Sequence, residues 1–258
     1  MNIVINDLNK AEVFTNLFQH IKLFSDHVNI TFNEDKMYLQ TMDSARVSIF
    51  EIILPNSWFN SYEITEPITL GINANVLFKV LHSRDKEQLI TMKCESNTDN
   101  LLINFTNDNK NNFDKHFEIP LMELDIELME IPGFDSNTDI ALPSSYFAGI
   151  ISQLQIFGDT IEFICSEEKI ELISSSLESG KMMVNIDVSE LTEYSITEGD
   201  DMKISFSLTR LHNICMYHKI SKEVEIILTN NFPMKIRYKL DLEDAEMVFY
   251  LAPKIGDD

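Results

Sequence analysis

The sequence predicts an α+β fold made of two similar domains, each with two helices and antiparallel sheets. Three observations support this prediction: apolar residues change from a helical to an alternating period near residue 25, the same pattern returns 133 residues later, and the strands are short and closely spaced. Short connections favour antiparallel pairing over parallel strands with crossover helices. We expect an N-terminal domain at 1–120, a connecting segment at 121–136 and a C-terminal domain at 137–258.

The first half begins with an amphipathic helix predicted over 11–24, for which Asn9 is the expected N-cap. Val28, Ile30 and Phe32 then alternate with polar residues, and a turn at 33–36 leads into a second strand, which predicts a hairpin. A second helix follows near residue 74. The remaining predicted strands of this half lie at 46–54, 62–72, 87–95, 101–106 and 113–119.

The second half repeats this order. The matched positions preserve both the helical spacing and the turn chemistry, which is stronger evidence for duplication than a single motif. The pairs are Phe14 with Phe147, Leu17 with Ile150, Ile21 with Leu154, Phe24 with Phe157, Asp26 with Asp159, Ile30 with Phe163 and Lys36 with Lys169.

Composition and motifs give no support for an enzyme. The chain carries 42 acidic and 20 basic residues, a net charge of -22, so contact with DNA requires a local basic patch. Three separated cysteines predict neither disulfides nor a zinc site, and the glycines form no phosphate-binding loop. We therefore expect no catalytic residues, no metal and no cofactor, and neither a secretion signal nor a membrane span.

The connecting segment, Leu121–Ser136, contains five acids and no base, and the strings around it carry a family resemblance. These strings are Leu39–Val47 (LQTMDSARV) and the tail Tyr250–Ile255 (YLAPKI). Together with the repeat, they closely resemble the proliferating cell nuclear antigen family of DNA sliding clamps, found in eukaryotes, archaea and some large viruses. The resemblance covers the whole chain.

This resemblance implies a closed homotrimeric ring with helices around a central hole and sheets outside. By resemblance, strands near 113–119 of one subunit and 179–186 of the next pair across the subunit boundary, so that the open edges of the sheets become hydrogen-bonded. The implied interface residues are Phe113, Phe117, Ile119, Leu154 and Met183.

The resemblance also implies a hydrophobic pocket beneath the connecting segment that accepts a short peptide with aromatic anchors, the PIP-box of clamp-binding proteins. Arg46 departs from the family, in which many relatives carry histidine, and adds a fixed positive charge. The implied pocket residues are Met42, Arg46, Val47, Ile49, Met129, Ile131, Pro132, Pro233, Tyr250, Ala252, Pro253 and Ile255.

Basic residues on the inward helices of a clamp offset the charge of DNA. The residues implied here are Lys10, Lys22, Lys79, Arg84, Arg210 and Lys219. The third helix, predicted over 144–157, carries no charged residue. We expect a ring that holds DNA mainly by topology, with contacts that are weaker and less salt-sensitive than those of its relatives; the alternative is that basic side chains from loops compensate.

The implied function is that of a non-catalytic processivity factor for DNA replication and repair. The ring would encircle double-stranded DNA without sequence preference and tether DNA polymerase and other clamp-binding proteins, after loading by a separate ATPase. The alternative is a subunit of a heterotrimeric checkpoint-type clamp, or a paralogue with reduced DNA loading. The expected location is the nucleus, or a viral replication compartment if the gene is viral.

Overall fold

The computed structural model describes residues 1–95, 99–107, 113–133, 135–199, 201–241 and 244–254. Its contacts divide the chain into two units. Unit 1 comprises Met1–Ser44, Glu51–Met129 and Asp241–Glu246, and unit 2 comprises Ala45–Phe50, Glu130–Leu240 and Met247–Asp258. The domain boundaries at 120 and 136 stay a prediction.

Unit 1 contains two antiparallel strand arrays and two helices. One array has the order β5-β1-β7-β8-β9 and the other has the order β4-β3-β2-β6. The strands are β1 (Asn2–Ile5), β2 (His27–Phe32), β3 (Lys36–Met42), β4 (Ser48–Pro55), most of which lies in this unit, β5 (Ser61–Glu63), β6 (Ile68–Asn73), β7 (Leu89–Lys93), β8 (Asn100–Thr106) and β9 (Lys115–Pro120). The helices are α1 (Leu8–Leu17) and α2 (Ala74–His82), with short 3-10 helices at Ile21–Leu23 and Asn56–Trp58.

Unit 2 has the same construction. Its arrays have the orders β13-β12-β11-β15 and β14-β10-β16-β17-β18. The strands are β10 (Thr138–Pro143), β11 (Thr160–Cys165), β12 (Lys169–Ser176), β13 (Gly180–Asp187), β14 (Glu193–Ile196), β15 (Met202–Ser207), β16 (Glu223–Leu228), β17 (Met234–Lys239) and β18 (Glu246–Leu251), which lies mostly in this unit. The helices are α3 (Ser144–Leu154) and α4 (Leu208–Cys215), with 3-10 helices at Val188–Glu190 and Met216–Lys219.

The predicted α+β class and internal repeat are confirmed. The hairpin β2–β3 starts at His27 and resumes at Lys36, and the hairpin β11–β12 starts at Thr160 and resumes at Lys169, which is the 133-residue offset. Phe14 on α1 and Phe147 on α3 are both buried, as their matched positions require. The repeat therefore extends from the sequence to the secondary-structure elements and the buried core.

The first helix differs from its prediction at both ends. Its N-cap is Asp7, not Asn9, because the Asp7 carboxylate accepts from the backbone N–H groups of Asn9 at 2.8 Å and Lys10 at 3.0 Å. The α-helix ends at Leu17, and the rest of the apolar pattern lies in the 3-10 turn that buries Ile21.

Each unit has its own aromatic core. In unit 1 the rings of Phe14 and Phe18 meet edge to face at 5.2 Å, and the buried Trp58 lies against Phe14. In unit 2, Phe249 stacks on Phe50 at 5.7 Å and contacts Tyr217. All three cysteines are buried and free of disulfides.

Candidate functional sites

The connecting segment 121–136, called the strap below, is hydrogen-bonded to unit 1 along its first part. The Met122 N–H donates to the Gly71 carbonyl at 2.9 Å, and the Asn29 amide donates to the Leu124 carbonyl at 3.1 Å. Gly71 is required at this approach, because a Cβ there would lie 2.1 Å from the Met122 carbonyl oxygen.

Gln40 binds the strap at a third point. Its side-chain amide donates to the Met129 carbonyl at 2.9 Å, and its carbonyl oxygen accepts from the Met129 N–H at 2.7 Å. Gln40 itself is buried, so both hydrogen bonds are shielded from solvent on one side. The pair therefore holds the strap at the position where unit 1 ends.

The last part of the strap forms one wall of a depression in unit 2, called the strap pocket. Its volume is about 330 Å³, and its lining combines apolar and polar residues with one basic side chain. The lining residues are Ile131, Pro132, Gly133, Ser136, Ile227, Lys235 and Tyr250. Three of the predicted pocket residues, Ile131, Pro132 and Tyr250, therefore meet in this depression.

The other predicted pocket residues in unit 2 lie on the tail, the 46–49 segment and the turn before β17. The Ala252 N–H donates to the Val47 carbonyl at 2.9 Å, which attaches the tail to this segment. Arg46 is exposed and has a left-handed backbone, with φ at 57°. Ile49, Pro233 and Pro253 are half-buried.

Two of the predicted pocket residues belong to unit 1, and one lies outside the described residues. Met42 is half-buried at the end of β3, and Met129 is 47% exposed on the strap. Ile255 lies outside the described residues. Their role in a pocket stays a prediction.

A second depression in unit 2 adjoins the strap pocket, and Ile227 lines both. Its charged side chains, Asp139, Glu193, Glu225, Arg237 and Lys239, are called the charged shelf. Glu225 accepts hydrogen bonds from Arg237, including one at 2.7 Å, and forms an ion pair with Lys239 at 2.5 Å. Burial raises the pKa of Glu225, but these two cations outweigh it, so the pKa lies below its ordinary value.

Two of the six basic residues predicted to face DNA are engaged within unit 1. The Lys10 ammonium donates to the Trp58 carbonyl at 2.8 Å and lies 3.7 Å from the Asp241 carboxylate. Arg84 donates to three backbone carbonyls at 85, 86 and 88, and burial lowers its pKa although Glu12 and Asp85 oppose this. Lys22, Lys79 and Lys219 are exposed, and Arg210 is half-buried.

Helix α3 carries no charge, and its exposed residues are small or polar apart from Tyr146. Ser145 and Ser152 line a depression of about 300 Å³ together with His212 and His218. His212 lies on α4, which ends at Cys215, and His218 lies in the following 3-10 helix. No group of three potential metal ligands occurs in the described part of the chain.

Comparisons with known proteins identify the family. The family model for the N-terminal domain of proliferating cell nuclear antigen matches residues 4–128, and the model for its C-terminal domain matches residues 130–255. The chain belongs to the proliferating cell nuclear antigen (PCNA) family. It is similar to the PCNA of Chaetomium thermophilum, with 27% identity over 257 residues that cover 97% of this chain and 98% of the relative.

Membership of the PCNA family gives the general function. PCNA proteins are sliding clamps that act as processivity factors in DNA replication and take part in DNA repair, as scaffolds without an enzymatic role of their own. The family binds DNA, polymerases and other clamp-binding proteins, and assembles as homotrimers. In the described ranges, no helix has the length and apolar character needed to cross a membrane.

The predicted interface residues of this PCNA family member lie on two outer strands and in two cores. β9 ends one array of unit 1 and β13 ends one array of unit 2. Phe113, just before β9, is 88% exposed, and Met183 on β13 is 44% exposed. Phe117 is half-buried, with its ring 5.4 Å from that of Phe105.

Ile119 and Leu154 differ from the other predicted interface residues. They are 1% and 0% exposed, because they pack inside their own units. Their side chains offer almost no surface to another subunit.

Sequence reasoning missed several residues that the structure places at these sites. Ile227 and Lys235 line the strap pocket, and Gln40 holds the strap. The alternation of 234–239 marks Lys235 as outward-facing, which was the available signal. Its position beside Tyr250 depends on pairing between distant strands, which the local pattern does not specify.

Proposed function

We propose that this chain forms a homotrimeric ring that encircles duplex DNA and tethers DNA polymerase and other replication and repair proteins through the strap pocket. Tethering raises the concentration of polymerase near the primer end, so synthesis is extended without chemistry by the ring. ATP-driven opening by a separate loader and action in the nucleus or a viral replication compartment belong to the same proposal.

The observation that carries the proposal is the pair of outer strands β9 and β13. Both are long, and in the described residues each pairs with a neighbour on one side, β8 or β12. The other outer strand of the β13 array, β15, is partly covered because the Lys254 N–H donates to the Ser205 carbonyl at 2.8 Å. An exposed edge is a template for further pairing, and a heterologous contact between β9 and β13 yields a ring when its rotation closes.

Native mass spectrometry tests the assembly. We expect the mass of three 29.8 kDa chains, and we expect Phe117→Asp or Met183→Asp to shift the population to monomer. Leu8→Asp is the matched control for Met183→Asp, because Leu8 and Met183 are exposed to a similar degree but Leu8 lies at the start of α1. A wild-type monomer at micromolar concentration would contradict the homotrimer.

A peptide-binding assay tests the pocket. A clamp-binding peptide with a glutamine and two aromatic residues should bind wild type, and Ile131→Ala should weaken binding about tenfold because it removes apolar surface from the strap pocket. Pro253→Ala should also weaken binding if the predicted site extends onto the tail. Unchanged binding by both variants would remove the pocket from the proposal.

A second function is favoured by one observation. Helix α3 is uncharged, and Lys10 and Arg84 are engaged internally, which suits a checkpoint-type subunit or a paralogue with reduced DNA loading. The mass measurement separates the homotrimer from a checkpoint-type subunit, since a heterotrimer subunit does not close a ring alone.

A further inference from the structure

We propose that the partner segment bound in the strap pocket carries an acidic residue, Asp or Glu, whose carboxylate pairs with the Lys235 ammonium. This inference rests on the proposed peptide-binding function and names a chemical requirement on the partner. It comes from one cation among the residues that line the strap pocket, on a chain with a net charge of -22.

Lys235 is the basic residue among those that line the strap pocket. Its ammonium lies 5.9 Å from the centroid of the Tyr250 ring. In the described residues it has neither an ion pair nor a hydrogen bond. The pocket therefore presents a positive charge that no carboxylate of the described chain neutralises.

The two cations of the charged shelf, unlike Lys235, are paired with a carboxylate. On β17, Arg237 and Lys239 project on the same side as Lys235, but both bind the Glu225 carboxylate. The register places Glu225 opposite Arg237 and Ile227 opposite Lys235, so the strand that supplies an acid to Arg237 supplies an apolar residue to Lys235. The lack of an ion pair at Lys235 follows from this register.

Asp139 is an acidic residue in the same row of the sheet as Lys235. It lies opposite Ile227 on the far side of β16, in the same row, which puts its backbone two strand spacings or about 10 Å from Lys235. Its carboxylate already accepts from the Ser136 hydroxyl at 2.6 Å and the Ser195 hydroxyl at 3.0 Å. Asp139 is therefore satisfied locally.

Covering the strap pocket with a purely apolar segment would remove water from Lys235. An ammonium that loses hydration without gaining an opposite charge opposes binding, whereas a carboxylate from the partner compensates for the lost water. The Tyr250 ring stabilises the cation without neutralising it. Charge complementarity at this point thus favours partners with an acid near their apolar anchors.

The test compares peptides that share a glutamine and two aromatic anchors but differ in one residue. Glu is placed at each non-anchor position in turn, with Gln at the same position as its match, and dissociation constants are measured by fluorescence anisotropy with the full chain. We expect one position at which Glu binds about fivefold more tightly than Gln, which corresponds to about 1 kcal/mol at 1.4 kcal/mol per tenfold.

The variants assign that preference to Lys235. In Lys235→Met the Glu-to-Gln ratio should fall to about one, and in Lys235→Glu a peptide with Lys at the same position should bind best. Lys222→Gln is the matched control, because Lys222 is an exposed lysine of unit 2 that lines neither depression; it should keep the fivefold preference. Circular dichroism verifies that each variant is folded.

Two results overturn the inference and are distinguishable from each other. Equal binding of Glu and Gln peptides at every position, with measurable affinity, rejects the acidic residue and leaves the peptide pocket intact. Absence of binding by every peptide to wild type rejects the pocket together with the inference.

Discussion

Helix α3 provides a direct test of how the proposed ring contacts DNA. Ser152 is exposed on α3 and lines the depression shared with α4, so Ser152→Lys places a positive charge on an uncharged helix face. If this face looks toward DNA, the new lysine binds a phosphate and releases counterions. We expect a steeper dependence of DNA affinity on salt.

The magnitude follows from counting phosphate contacts. Each additional contact steepens the slope of log affinity against log salt by about 0.9, so one contact per subunit of a trimer gives up to about 2.7. Between about 50 and 200 mM salt, each contact then changes affinity by a further factor of about 3.5. For wild type we expect a shallow slope, because Lys10 and Arg84 are engaged within unit 1.

The assay is fluorescence anisotropy of a labelled duplex titrated with purified chain at several salt concentrations. Ser152→Gln controls for side-chain length, and Thr65→Lys adds the same charge in the exposed turn between β5 and β6. Both controls should keep the wild-type slope. Equal slopes for Ser152→Lys and wild type would refute the placement of α3 toward DNA, and a wild-type slope as steep as that of a clamp with four basic helices would refute weak, topology-dominated contact.

Three further predictions concern stability. Glu225→Gln should lower the free energy of unfolding at neutral pH by about 1 kcal/mol, allowing for solvent screening. Because the folded pKa of Glu225 lies below its unfolded value, its stabilisation is present above the unfolded pKa and is lost as pH falls through the folded pKa. Denaturant unfolding at several pH values should therefore show wild type and variant converging in acid, and a constant difference would contradict the ion-pair explanation. Gly71→Ala should displace the strap, lower the free energy of unfolding by about 1–3 kcal/mol and speed hydrogen exchange at the Met122 amide; protection equal to wild type would show that the close approach is relieved elsewhere. Gln40→Ala should speed exchange at the Met129 amide while leaving Met122 unchanged, since it removes two hydrogen bonds of about 1 kcal/mol each; equal acceleration at both amides would indicate that the strap detaches as one piece.

The elements that could be predicted from sequence are those whose signal is local. The β2–β3 hairpin follows from alternation and a turn between adjacent strands, and the duplication doubles that signal. The end of α1 could not be predicted, because Ile21 stays buried whether the chain continues as an α-helix or tightens into a 3-10 turn. Its start was misassigned because Asp7 and Asn9 are both good caps, and periodicity does not choose between them.

The site residues also differ in whether their signal is local. Residues on the strap and tail were identified through motifs, whereas Lys235 was missed because its neighbours come from β16 and β18. The basic residues were read as available charges, but Lys10 reaches Trp58 and Asp241 across large sequence separations. Composition gives the charge of a side chain and leaves its partners undetermined.

The strap shows both a local sequence pattern and contacts with residues that are distant in sequence. Its residues at 122, 124 and 126 are half-buried and alternate with exposed acids at 123, 125 and 127. This is the period of a strand that has one side against unit 1. Backbone bonds at Met122, Leu124 and Met129 satisfy the edge toward unit 1, which leaves carboxylates on the other side. The first part of the strap therefore presents a row of carboxylates on the side that its backbone hydrogen bonds leave open, and these charges favour basic groups on any segment that passes along it.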